Sequence, residues 1–126
     1  MVINTKIDNK NNVRINTVSG LFDIHEIIKY IESLNQLNKS KLGMNVCWDL
    51  SKSDVSKVKA TDVKQLIYNS KDIISKDKNK KSAIVVKEDA DYGIARMFQL
   101  MLEDDNPSEV NIYKDKEEAM NWIYEQ

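Results

Sequence analysis

Cysteine, proline, glycine and histidine are all scarce in this chain: of its 126 residues one is Cys, one is Pro, one is His and three are Gly. A lone cysteine, Cys47, leaves no partner for an intramolecular disulfide, removes the Cys-rich zinc patterns, and fits a reducing, cytoplasmic setting. No stretch approaches the roughly 18 consecutive apolar residues of a membrane span. The opening Met1-Val2-Ile3-Asn4-Thr5-Lys6 also lacks the apolar core of a secretion signal, so an unexported protein without a membrane span is expected. An excess of one charge is missing as well, with 19 Lys and Arg set against 20 Asp and Glu. Nucleic acid is thereby discounted as a partner, because neutralising phosphates needs a basic excess or a clear basic stripe. The one basic run, Lys71 to Lys81, is interrupted by Asp72 and Asp77 and reads as a solvated helix end and turn.

What is present is enough apolar content for one core, 41% of residues, in a chain of ordinary single-domain length. No internal repeat, low-complexity tract or dividing linker appears, so residues 1–126 read as one domain. Residues 2–7 and 13–18 are rich in β-branched side chains around the polar cluster Asp8 to Asn12, which predicts an opening hairpin. Gly20 is expected to break the second strand. Asp23 and Glu26 form a capping box with Phe22 and Ile27 at staple positions, and Ile24, Ile27, Ile28, Ile31 and Leu34 recur at helical spacing. Met44 to Leu50 reads as an inner strand, ended by the polar Ser51-Lys52-Ser53-Asp54. Thr61 is the expected N-cap of a second helix whose inward face is Val63, Leu66, Ile67 and Ile74. The strand Ala83 to Val86 then leads to a helix from about Asp91 to Glu103, ended near Pro107. Val110 and Ile112 alternate in a last strand, and Asp115 with Glu118 caps a helix carrying Ala119, Trp122 and Ile123. The order β-β-α-β-α-β-α-β-α predicts an α/β fold, a mixed sheet with helices packed on it.

Four stretches, in this order, resemble the SpoIIAA-like, or STAS-like, family of small bacterial domains. They are Ser19-Gly20-Leu21-Phe22, Cys47-Trp48-Asp49-Leu50, Asp91-Tyr92-Gly93-Ile94-Ala95-Arg96-Met97, and the segment from Tyr113 to Ile123, so the resemblance spans about Val13 to Ile123. It implies a sheet of four or five strands flanked by helices, in a group whose members are mostly uncharacterised. Relatives with STAS domains act as protein-binding regulators, and the wider fold group includes lipid carriers. One motif departs from the pattern. In the anti-sigma-factor antagonists a strand end Asp-Leu-Ser leads to Asp-Ser-Ser-Gly with a phosphorylated serine; here Asp49-Leu50-Ser51 is followed later by Ser56-Lys57-Val58-Lys59-Ala60-Thr61. Ser56 and Thr61 are the remaining phosphate-acceptor candidates.

Ligands of open α/β sheets collect beyond the carboxyl ends of parallel strands, which nominates a rim formed by Trp48, Asp49, Asp89, Asp91, Tyr92, Gly93 and Arg96. Free N–H groups at two helix starts, with Arg96 beside them, suit an anion or an acidic partner group. The alternative is structural: Asp91 caps its helix, Arg96 pairs with Asp49 or Asp89, and Gly93 lets the helix approach the sheet. Met97, Phe98, Leu100 and Met101 add more apolar surface than one inward stripe uses, as a homodimer face, a pocket lining or a wide core helix would. Cys47 reads as a small buried apolar group and His25 as a surface residue. Asp49 as a phosphoacceptor would need an acidic pair at an earlier strand end, which Val18-Ser19-Gly20-Leu21 does not offer. The pattern contains no metal cluster, cofactor motif or nucleophile with its base. Two functions follow: a non-enzymatic interaction module, homodimeric and protein-binding, or a binder of a small apolar or anionic molecule in a pocket among Trp48, Tyr92, Met97 and Phe98. An enzyme ranks behind both, since only Asp49, Asp89 and Asp91 are available as acid–base groups.

Overall fold

The structure is a computed structural model that describes residues 1–34, 43–76, 80–102 and 109–125. Nine elements follow the expected order: β1 (Val2–Asp8), β2 (Val13–Leu21), α1 (Ile24–Leu34), β3 (Asn45–Asp54), α2 (Ala60–Lys76), β4 (Lys81–Val85), α3 (Asp89–Leu102), β5 (Glu109–Tyr113) and α4 (Lys116–Tyr124). The strands form one sheet in the order β1-β2-β3-β4-β5. β1 and β2 pair antiparallel, while β2 with β3, β3 with β4 and β4 with β5 all pair parallel. Two predicted ends, Glu103 and Pro107, lie outside the described residues, as do the side chains of Leu34, Ile74 and 71–76 and the segment 77–79 within the basic run.

Spatial order equal to chain order has a consequence for the layers. Each parallel crossover steps the same way across the sheet, and right-handed connections then place every crossover helix on one face. α1, α2 and α3 do share a face, where Ile24, Ile27, Ile28 and Leu66 pack with Trp48 and Phe98, and Ala95 packs with Ile84 and Val86. α4 follows the last strand with no strand to return to. It covers the opposite face, where Ala119 and Ile123 pack on Val13, Cys47, Ala83 and Val85.

Local chemistry explains most element ends. Asp8 closes the hairpin loop by accepting the Asn11 backbone N–H at 3.2 Å and its Nδ2 at 2.8 Å, and Asn12 takes the left-handed conformation that Asn tolerates. Asp23 accepts the His25 N–H at 2.9 Å and starts α1, with Phe22 packed beside Ile27 in the expected staple. Asp115 accepts the Glu117 N–H at 2.9 Å and starts α4. At the far end of α4, Lys81 Nζ donates to the carbonyls of Trp122 at 2.9 Å and Glu125 at 2.8 Å, and sits 5.2 Å from the centre of the Trp122 ring. Lys81 is thus a helix-ending cation rather than part of a solvated run.

Several boundaries differ from those expected. Gly20 does not end β2: after a register shift between Thr17 and Ser19, Gly20 takes φ of +87° and the strand continues to Leu21. β3 likewise continues through Ser51-Lys52-Ser53-Asp54, pairing Lys52, Ser53 and Asp54 with Ser19, Gly20 and Leu21. Polar residues are tolerated there because β4 stops opposite Asp49, so this part of β3 has a neighbour on one side and lies open on the other. Thr61 is not an N-cap. Asp62 accepts the Lys59 backbone N–H at 2.9 Å, which closes the first turn of α2 earlier and puts exposed Thr61 inside it. α3 starts at Asp89 instead of Asp91 for the same reason, since the Asp91 carboxylate accepts the Glu88 N–H and Tyr92 N–H bonds to Glu88 O.

Cys47 sits fully buried at the centre of the α4 face. Burial, and after it the nearby Asp49 carboxylate, pushes its thiol up from 9.0 to about 11. Folding therefore favours the neutral thiol, and that contribution is complete below pH 9.0 and lost as pH rises towards about 11. Native protein at pH 8 is expected to leave Cys47 unmodified by an aromatic disulfide reagent that labels it after urea unfolding. Between those two pH values Cys47→Ala is expected to lose less stability than the parent, and rapid labelling of the native thiol would contradict this placement.

Candidate functional site

Alternate residues of a strand point to opposite faces, and this divides the predicted rim. Trp48 faces α1, α2 and α3, whereas its neighbour Asp49 faces α4 with Cys47. Asp49 is 5% exposed; its Oδ1 accepts the Ser51 N–H at 3.0 Å and the Ser51 hydroxyl at 2.6 Å, and its Oδ2 lies 3.9 Å from Lys116 Nζ. Asp89, at the first position of α3, is exposed and paired with Lys114 of the β5–α4 turn. Ser56 and Thr61 are both exposed, and hydrogen bonding from the Ser56 side chain, and after it from the Ser56 N–H at 3.0 Å, holds the Asp54 carboxyl below its ordinary value.

Arg96 is distant from the start of α3. It lies about two turns into the helix, exposed, with its guanidinium donating to Gln99 and with neither Asp49 nor Asp89 as its partner. Gly93 is exposed too, and a Cβ built there would meet nothing within 4 Å, so it does not serve a close approach to the sheet. The two helix starts proposed as anion seats are occupied by the protein's own acids: Asp62 accepts at the start of α2, and Asp91 at the start of α3 with Asp89 beside it. The rim also lacks the reversal of strand order at which α/β crevices open, since the parallel strands follow one another without a break.

A pocket lies elsewhere, partly open to solvent, between the sheet and the three helices of the Trp48 face. A cavity of about 100 Å³ is bounded there by Trp48 and Leu50 of β3, Ile84 and Val86 beside the end of β4, Ile24, Ile27 and Ile31 of α1, and Val63 and Leu66 of α2. Phe22, Val55 and Val58 complete it, with Asp91, Ile94, Ala95 and Phe98 of α3. Of the predicted site residues, Trp48, Asp91 and Phe98 therefore line one space; Tyr92 is exposed and Met97 half-buried, and neither lines it. Every lining side chain is apolar or aromatic except Asp91, whose Oδ2 accepts the Glu88 N–H at 3.2 Å. The ring of Tyr30 packs edge-on against Trp48, with 5.6 Å between ring centres. The Tyr30 hydroxyl in turn donates to Asn16 Oδ1 at 2.9 Å, an oxygen that also accepts from Thr5 at 2.8 Å.

Sequence reasoning missed most of this lining. Ile27, Val63, Leu66 and Ile84 were read as ordinary core positions, and nothing in a periodic apolar pattern distinguishes a filled core from one that leaves a void. Val55 and Val58 carry a weak signal, being apolar residues in the connection between β3 and α2; Val55 is 4% exposed.

This architecture has a counterpart among crystal structures. An uncharacterised protein of the DUF3478 family from Shewanella loihica PV-4, described as having a SpoIIAA-like fold, superposes with a TM-score of 0.59 over 97% of this chain and 92% of its own, at 16% identity. The chain has a SpoIIAA-like fold. At that identity the likeness extends to the fold alone. No family model matches the sequence. No curated protein matches it either.

The exposed glycine of α3 provides a direct check on its placement. Glycine within a helix costs about 0.5–1 kcal/mol relative to alanine when the site has room for a Cβ. Gly93→Ala is expected to raise the unfolding free energy by about that amount in urea titration; a loss of stability would mean that the backbone at Gly93 is approached closely.

Proposed function

We propose that this SpoIIAA-like domain is a non-enzymatic binding module that holds a small apolar molecule between its sheet and α1, α2 and α3. The cavity on the Trp48 face carries this reading. Protein cores are packed like organic crystals and keep few voids larger than a water molecule, so about 100 Å³ of apolar space calls for an occupant. Water is a poor one, because it needs two to four polar partners, and the lining supplies a single carboxylate. The size sets the scale of the ligand: an engineered apolar cavity of about 150 Å³ stays dry and takes up benzene, so a space of about 100 Å³ points to an apolar group of about six heavy atoms at most inside it. A full-length fatty acid is too large for it. General acid–base catalysis asks for positioned titrating groups at the reacting atoms, and one carboxylate in an apolar lining supports binding over turnover. The single buried thiol agrees with an intracellular setting for the module.

Toluene is the simplest probe. Saturating toluene is expected to raise the melting temperature, since a ligand that binds only the folded state stabilises it by mass action. Ala95→Leu, which adds three carbons at a lining position, is expected to remain folded and to abolish that shift. No shift in the parent protein, with Ala95→Leu costing the stability expected of an overpacked core, would sink the proposal.

A second reading as a protein-binding module or homodimer is favoured by the outer face of α3, where Tyr92 and Leu100 are 41% and 49% exposed and flank Arg96 at four-residue intervals. Met97 and Met101 are half-buried at its border, and flexible Met side chains suit adaptable contacts. On this reading the parent sediments as a dimer at micromolar concentration and Leu100→Glu as a monomer. A monomeric parent contradicts it.

A further inference from the structure

We infer that the free edge of β1 is an interface for a second copy of this chain: two β1 strands pair antiparallel about a two-fold axis at Thr5 and join two sheets into one. The inference is independent of the cavity and uses a surface other than the outer face of α3. It starts from where the backbone groups of β1 point. The Asn45 N–H donates to Asn12 O at 3.0 Å across to β3, so the Val13 N–H, on the other side of the same planar peptide, points to β1. Hydrogen-bonded and non-hydrogen-bonded pairs alternate along an antiparallel ladder. Val13, Ile15, Thr17 and Ser19 therefore bond to Asp8, Lys6, Asn4 and Val2. The N–H and C=O groups of Ile3, Thr5 and Ile7 point away from the sheet, and among the described residues nothing hydrogen-bonds to them.

Exposed strand edges are normally blunted by brevity, proline, a bulge or a covering group. The opposite edge, β5, is blunted in two of these ways. It is five residues long, and the carbonyl of Val110, which points outward because the Glu109 N–H bonds inward to Lys80 O, accepts from the Gln99 side chain. β1 has seven residues, includes neither Pro nor Gly, pairs with β2 without a register break, and leaves Val2 and Ile7 63% and 36% exposed.

The pattern of the edge identifies its occupant, because residues 3, 5 and 7 are symmetric about Thr5. Around a two-fold axis there, Thr5 faces the partner's Thr5 and Ile3 faces the partner's Ile7, so every outward N–H and C=O of the strand is matched. Side chains agree with that register. Ile3 and Thr5 lie on the Trp48 face, and Ile7 shares it by the period of two, so the exposed Ile7 gains the partner's Ile3 as an apolar cross-strand neighbour. On the other face Lys6 stands opposite the partner's Asn4 and Asp8 opposite the partner's Val2, with no like charges directly opposed. Moving the axis to Lys6 would set Lys6 against the partner's Lys6 and leave Ile3 unmatched. Strands spaced about 4.8 Å apart put the two β2 strands about 14 Å from each other. Packed helices need roughly 8–10 Å, which leaves room for both copies of α1.

Sedimentation velocity and amide hydrogen exchange test the pairing. The parent is expected to dimerise at high micromolar concentration. In the dimer the Ile3, Thr5 and Ile7 amides exchange slowly and they become fast on dilution, whereas those of Asn4 and Lys6, bonded to β2 in either state, do not change. Ile7→Pro removes an outward N–H from each copy and spares the β1–β2 ladder; it is expected to weaken the dimer about tenfold or more, the scale of two lost hydrogen bonds. Ile7→Lys, at an exposed position, is expected to weaken it as well, and decides the matter alone should Ile7→Pro not fold. Leu100→Glu is expected to remain dimeric. A parent that stays monomeric at millimolar concentration overturns the inference, and so does a dimer that a folded Ile7→Pro or Ile7→Lys leaves intact. Dissociation by Leu100→Glu without concentration-dependent protection of Ile3, Thr5 and Ile7 overturns it in favour of the α3 face.

Discussion

The handedness of the crossover connection organises this molecule. Because the strands lie side by side in the order in which they occur, every connection from β2 onward moves the same way across the sheet. Right-handed crossovers then require α1, α2 and α3 to stack on one face. Three helices must cover a face whose lining side chains include Trp48, Leu50, Ile84 and Val86. The fourth helix is free of that constraint and seals the opposite side against Cys47 and Val85. The asymmetry follows: a layer under α4 whose buried centre is mostly Val, Ala and Cys with Ile123, edged by Tyr113 and Trp122, and a thicker layer under three helices whose centre is mostly Ile and Leu with Trp48 and Phe98. The cavity lies in the thicker layer. Large side chains from three independently placed helices and a sheet have more ways to leave a gap than small ones under a single helix.

Charge is distributed between the layers in a way that bears on recognition. On the α4 side, Asp49 is buried but satisfied locally by Ser51, with Lys116 nearby, and Asp89 is paired with Lys114. These groups neutralise one another across the turns that join sheet and helices. On the cavity side the carboxylate of Asp91 is the exception, a helix-start acid that also borders the apolar space. The SpoIIAA-like fold by itself carries no chemistry, and function is argued from such local arrangements. Here the arrangement is an apolar space of about 100 Å³ with one acidic residue among its lining.

Much of the fold was legible because its signals are local. Asp23 and Asp115 start their helices as N-caps and Phe22 packs on the cluster that holds Ile27, although each acid bonds the N–H two residues on and the Asp23 N–H goes to Met1 Sδ instead of closing a capping box with Glu26. The boundaries that differed were decided by partners distant in the chain or by a competing cap. Ser51 to Asp54 became strand because β2, bent at Val18 and Gly20, continued far enough to pair with them. Thr61 lost the capping role to a turn closed by Asp62, one residue further on. The division of Trp48 from Asp49 was available from the sequence, since a strand has a period of two and adjacent residues cannot share a face.

Periodicity and turn chemistry in the sequence were sufficient for the element order and the α/β class, because those depend on each segment's own apolar pattern and on the residues at its ends. Tertiary structure alone decided which sides of the sheet the helices occupy, where the packing leaves space, and which acids are spent on lysines. These depend on distances between segments tens of residues apart: the gap bounded by Ile27, Leu66, Ile84 and Phe98 exists only when four separate elements meet, and no one of them encodes it.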